Sequence, residues 1–63
     1  MIKSDVYMLP NGNLIETVTY LSAIGRCVVD VYFLFDHIQI YFEEFNYLFS
    51  GAEYLGELWK REF

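Results

Sequence analysis

Hydrophobic positions in this chain fall into blocks with two different spacings. Residues 26–42, RCVVDVYFLFDHIQIYF, form the densest block. After Arg26 the run is almost entirely β-branched or aromatic, broken by Asp30, Asp36, His37 and Gln39. Such side chains fit a pleated, buried surface better than a helix. The run is therefore expected to supply the central strand or strand pair and to mark the core.

The elements around it follow in chain order. Residues 5–9, DVYML, read as a short strand. Pro10-Asn11-Gly12-Asn13 comes next. Proline presets φ at the second turn position and Asn-Gly accepts positive φ, so this stretch predicts a β-hairpin loop. LIETVTYL, from Leu14 to Leu21, allows two readings. As a strand it closes the hairpin with Ile15, Thr17, Val18, Thr19 and Tyr20. As a helix it uses Asn13 as N-cap, Glu16 at N3, and Leu14, Val18 and Leu21 as a stripe, with Gly25 as its stop. The turn and the β-branched residues favour the strand. Residues 22–25 are a loop and residues 26–35 the next strand. A tight turn at Asp36-His37 brings residues 38–42 back; the alternative is one long strand with a bulge near Asp36.

Beyond Phe42 the spacing changes. Phe42, Phe45 and Phe49 stand at i, i+3 and i+7. Glu43 and Glu44 occupy a first turn, where acids favour the helix dipole, and Ser50-Gly51 supplies a stop. Residues 43–49 thus predict a short helix laid over the sheet. Residues 52–59, AEYLGELW, predict the last strand, with a bulge or close backbone contact at Gly56. The expected fold is mainly β (small α+β). It is a four- to five-stranded antiparallel curled sheet or an SH3-like small barrel, with one short helix before the last strand. Residues 1–63 make one small domain.

Composition sharpens this picture. A domain of 63 residues, 56% hydrophobic and 21% aromatic, has more apolar surface than it easily hides. Folding at this size buries only about 60% of the unfolded surface, and such domains usually need a staple. Cys27 is the only cysteine and His37 the only histidine. Neither an intrachain disulfide nor a Cys/His zinc site can be built from them. The remaining staple is association, and a homodimer is the expectation. Lys3 is followed by Ser4 and Asp5 with no apolar signal segment, which together with the unpaired cysteine points to the cytoplasm. The apolar run carries Asp30 and Asp36 and falls short of the roughly 20 residues of a spanning helix, so no membrane is expected.

A net charge of −5 argues against direct contact with nucleic acid or an anionic bilayer. Between Cys27 and Trp59 there is no Lys or Arg, whereas Asp30, Asp36, Glu43, Glu44, Glu53 and Glu57 are all acidic. This is either a solvated surface that keeps the protein soluble or an acidic face for a basic partner.

No catalytic, cofactor or metal motif stands out, and the chain is not expected to be an enzyme. His37 lacks a Ser, Cys or Asp arrangement and reads as a solvated turn residue. Cys27 reads as a small buried hydrophobe. Glu43 and Glu44 diverge on a helix, and the acids lack calcium-loop spacing. Asp30 interrupts an apolar strand. It is expected at an edge or facing solvent, or, if buried, paired with Arg26.

Aromatics then carry the functional reading. Tyr41, Tyr47, Tyr54 and Trp59 fall in the acidic second half, and large amphipathic rings anchor interfaces. Tyr54 and Trp59 face opposite sides of the last strand. The candidate partner-binding residues are Glu43, Glu44, Tyr47, Glu53, Tyr54, Glu57 and Trp59. They suit a non-catalytic protein-binding module with exposed aromatics and an acidic rim. Alternatively, carboxylates on a rigid sheet stand in for phosphates and block the basic cleft of a DNA- or RNA-processing or defence enzyme. That profile is similar in general character to phage-encoded inhibitors, and it would make this a viral protein. A third reading is a structural subunit of a larger assembly.

Overall fold

The computed structural model describes residues 2–41 and 49–61. Five strands lie antiparallel in one sheet: β1 (Ile2–Met8), β2 (Leu14–Leu21), β3 (Cys27–Phe33), β4 (Gln39–Ile40) and β5 (Glu53–Arg61). Their spatial order is β4-β3-β2-β1-β5. The first four strands meander, and β5 returns to the far side of β1. The mainly β expectation holds in its open-sheet form. The barrel does not close, because β4 and β5 remain at opposite edges.

The hairpin at residues 9–13 sets the register of the first two strands. Gly12 adopts φ 90°. Its N–H donates to the Leu9 carbonyl and the Leu9 N–H donates to Asn13, both at 2.8 Å. Pairs then run from Met8↔Leu14 to Ile2↔Tyr20. Leu14–Leu21 is therefore a strand, and the helical reading of it fails.

The central strand is β2, which corrects the expectation for residues 26–42. β3 pairs along its length with β2, but β4 contributes only Val31↔Ile40 and Tyr32↔Gln39. The turn between β3 and β4 consumes the rest. The Phe33 N–H donates to Ile38 and the His37 N–H to Phe33, both at 2.9 Å, while His37 takes φ 56°. Histidine is one of the side chains that tolerates this region. The turn at Asp36-His37 is thus present but wider than expected, and the single bent strand does not form.

β5 begins one residue later than expected and runs on to Arg61. Its register against β1 shifts between Ser4 and Asp5 and again between Val6 and Tyr7, which leaves Leu58 and Leu55 as extra residues. Gly56, between them, has φ 132°, a backbone conformation that favours glycine. The expected irregularity at Gly56 is real and doubled. The helix expected over residues 43–49 lies outside the described residues, except for Phe49, which belongs to no regular element.

One face of the sheet holds the core. Directly opposed residues of an antiparallel pair share a face. The register therefore lines up Tyr7, Ile15 and Phe33, and beside them Val31 and Ile40. Leu9, Ile15, Val31 and Ile40 are buried, and Tyr7, Phe33, Phe49 and Ala52 pack against them. The Phe49 ring meets Tyr7 edge-on at 4.8 Å. Residues 26–42 thus supply Val31 and Ile40, but Val29, Phe35, Ile38 and Tyr41 are exposed. Cys27 is exposed too, contrary to expectation. It pairs with the exposed Leu21 at the end of the sheet that the two-residue β4 does not reach.

Candidate protein-binding edge

Of the carboxylates on the strands, Asp5, Glu16 and Asp30 each accept a hydrogen bond from a hydroxyl. Asp5, on the core face, accepts from the Tyr54 hydroxyl at 2.8 Å and lies 3.5 Å from the Lys3 ammonium. On the opposite face Glu16 accepts from Ser4, and both side chains are buried. Asp30, on that same face, accepts from Tyr20 at 3.1 Å. A buried carboxylate without donors costs free energy, so these bonds are first of all structural. They hold the phenols neutral. The Tyr20 phenol is pushed up by its hydrogen bond to Asp30, and Tyr54 likewise by Asp5. Tyr32 is pushed up by desolvation and then by the nearby charges of Asp30 and Glu16.

Asp30 is half-buried rather than solvent-facing, and its partner is Tyr20 rather than Arg26. Arg26 is exposed, and its backbone N–H is tied to the Ser22 hydroxyl oxygen at 3.2 Å. His37 is an exposed turn residue. Cys27 starts β3 and His37 follows its end, so the strand's length separates the two. Among the described residues no cluster of three or more His, Cys, Asp or Glu is placed to hold a metal ion.

Ser4, Asp5, Glu16 and Tyr20 were not among the residues the sequence reading singled out. A signal for part of them was available. The turn at residues 10–13 fixes Ser4 opposite Val18, which puts Glu16 on the neighbouring diagonal. Diagonal neighbours on one face are within side-chain reach. The Tyr54–Asp5 contact had no such signal, because it depends on where β5 docks.

The residues that were singled out divide into two groups. Glu43, Glu44 and Tyr47 lie outside the described residues. Glu53, Tyr54, Glu57 and Trp59 all belong to β5. They share a strand but not a face. Tyr54 and Glu57 lie opposite Tyr7 and Asp5 on the core face, whereas Glu53 and Trp59 lie opposite Met8 and Ser4 on the other. The expected divergence of Tyr54 and Trp59 is observed, and both are exposed.

β5 is the outermost strand next to β1, and every residue in it except the half-buried Gly56 is exposed. Among the described residues no strand pairs with its outer edge. Tyr54 is 55% exposed, Leu55 50%, Leu58 51% and Trp59 37%. The Tyr54 ring is held at its inner side by Tyr7, with centroids 5.1 Å apart. At the C-terminal end of the strand, Ile2, Trp59, Lys60 and Arg61 line an open cavity of about 350 Å³. The acids therefore do not stand alone on this strand, since Lys60 and Arg61 lie at its C-terminal end.

No protein family, no curated protein and no solved structure matches the chain. Among the described residues no helix is long and apolar enough to cross a membrane.

Proposed function

We propose that this chain is a non-catalytic protein-binding module that engages its partner along β5. The observation that carries this reading is the exposure of Tyr54, Leu55, Leu58 and Trp59 on an edge strand whose outer side no strand among the described residues pairs with. An open edge offers backbone hydrogen bonds to an incoming strand, and the side chains on both faces select it. Glu53 and Glu57 form the polar rim of that contact. Exposed aromatic anchors of this kind carry most of the binding free energy in many interfaces. The nucleic-acid-mimic reading draws less support from the geometry. Glu53 and Glu57 point to opposite faces, and two cations share their strand. A cytoplasmic setting accords with the exposed, unpaired Cys27 thiol, which would oxidise elsewhere.

The test is capture from a lysate of the source organism or its host, with parallel baits. The native chain should retain a partner through a high-salt wash, and a Trp59→Ala, Tyr54→Ala bait should lose it. A partner lost at high salt and by charge reversal of Glu43, Glu44, Glu53 and Glu57, yet indifferent to the aromatic changes, would favour the mimic. Retention by every bait would remove β5 from consideration.

A further inference from the structure

We infer that the strand which pairs with the open edge of β5 is β5 of a second copy. The proposal rests on the reading of β5 as the binding edge and names its occupant. The argument starts from the order of charges in EYLGELWKR, which is acidic at the first residue and basic at the last two. Two identical strands can pair antiparallel about a two-fold axis normal to the sheet. Opposed residues must then share a face, and the axis must pass through a residue. With the axis at Glu57 the whole of β5 overlaps its copy. Glu53 lies opposite Arg61 of the copy at both ends, and Tyr54 lies opposite Lys60.

The registry against β1 shows that these pairs share faces. Glu53 and Arg61 oppose Met8 and Ile2 on one side, while Tyr54, Glu57 and Lys60 oppose Tyr7, Asp5 and Lys3 on the other. Leu55, the extra residue between Tyr54 and Gly56, then falls opposite Trp59 of the copy on either side of the axis. All four of these side chains are exposed in the single chain, so their burial is new on pairing.

The two irregular residues also decide between a copy and another strand. Bulges on an edge twist it away from regular strands and protect it from indiscriminate pairing. Here one extra residue lies between Tyr54 and Glu57, and one between Glu57 and Lys60. About an axis at Glu57 these spans face each other, so their lengths match. A regular strand has no such compensation. The opposite edge offers nothing comparable, because β4 is two residues long. One feature opposes the dimer. Glu57 meets its own copy at the axis, with Asp5 beside each on β1. Like charges placed opposite destabilise a strand pair. The association is therefore held below its full strength by Glu57, with Lys60 of the copy as its diagonal neighbour.

The decisive experiment uses the full chain and two charge reversals at the ends. Sedimentation equilibrium from micromolar to millimolar concentration should show the native chain passing from 7.5 kDa to twice that mass. Glu53→Arg places two arginines opposite each other at both ends, and Arg61→Glu places two glutamates there. Each variant alone should dissociate with a Kd raised about tenfold or more. Mixed in equal amounts, the two should form a heterodimer at least as tight as the native one, since each end again pairs an acid with a base. Glu57→Gln should lower the native Kd by several-fold. Both reversed positions are exposed, and far-UV dichroism of each variant checks that the sheet is intact. A native chain that stays at 7.5 kDa at millimolar concentration overturns the proposal, as do single variants that dimerise normally or a mixture that stays monomeric. A monomeric chain that still loses its lysate partner on Trp59→Ala, Tyr54→Ala overturns only the self-pairing. A monomer whose partner ignores those changes overturns the reading of β5 altogether.

Discussion

β2 and β5 are strands of similar length with opposite fates. β2, LIETVTYL, is at the centre of the sheet and buries Ile15, Glu16 and Thr17. β5, EYLGELWKR, is at the edge and exposes Tyr54, Leu55, Leu58 and Trp59. Hydropathy alone would not sort them this way. A glutamate is 6% exposed in one strand while a leucine is 51% exposed in the other. Position in the sheet decides. A central strand is flanked by side chains on both sides and must satisfy whatever polar groups it carries, whereas an edge strand lacks one set of neighbours. The polar residues of β2 are tolerated because their partners lie on adjacent strands. The apolar residues of β5 lack that cover and stay exposed.

The contrast is broken most directly by truncating one apolar side chain in each strand. Ile15 is 1% exposed, and Ile15→Ala should cost about 2–5 kcal/mol through lost burial and an unfilled cavity. Since small domains hold only about 5–15 kcal/mol in total, much of the chain should unfold near ambient temperature. Leu58→Ala should change stability by less than about 1 kcal/mol, because Leu58 is half in water already. Urea titrations of the two variants measure both effects. Equal destabilisation would mean that β5 is covered in solution and that its exposure is not a property of the free chain.

The polar interior of the sheet gives the next effect. Ser4→Ala removes the donor to Glu16 and leaves a buried carboxylate short of a partner, at a cost of about 1–3 kcal/mol. Adding Glu16→Leu removes the acceptor as well and should recover most of that loss, since replacing both partners with apolar groups is often near neutral. If Ser4→Ala alone leaves the urea midpoint unchanged, the hydrogen bond does not hold β1 against β2.

How far the sequence revealed this arrangement depended on how local the information was. The hairpin was legible because Pro10 to Asn13 encode their own turn, and its register follows from it. Leu14–Leu21 was legible as a strand through its β-branched residues. The rank of the strands was not. Residues 26–42 carry the densest run of β-branched and aromatic side chains, yet β3 lies beside a two-residue edge strand and leaves Val29 and Cys27 uncovered. Strand order depends on where a distant segment docks, and no local spacing records that β5 returns to β1. For the same reason the residues of β5 could be named as a candidate group from composition, and alternation separates Tyr54 from Trp59, but it would put Glu53 and Glu57 on one face, where the structure has them on two. Their assignment needs the two register shifts against β1. Gly56 hinted at an irregularity without saying that there were two.

The smallest effect compares the phenols that β2 and β5 contribute to the carboxylates. Tyr20 donates to Asp30 within the sheet, and Tyr54 donates to Asp5 across its edge. Both phenols are raised above the ordinary tyrosine range by these bonds, and Tyr32 is raised by desolvation. A raised phenol is neutral in the folded chain at a pH where the unfolded chain already ionises. The stabilisation is therefore complete below the unfolded value near pH 10, and it is lost as pH rises through the higher folded values. Urea midpoints should hold from about pH 7 to 9 and decline above about 10. The native curve sums all three phenols and does not separate one from another. Tyr20→Phe and Tyr54→Phe do, because each removes one hydroxyl and leaves the other. Each should be less stable than the native chain at neutral pH and should lose less on going alkaline, so that the curves converge. Parallel curves for Tyr54→Phe, with convergence for Tyr20→Phe, would show that the edge hydroxyl is solvated and that β5 couples to the sheet by its backbone and rings alone.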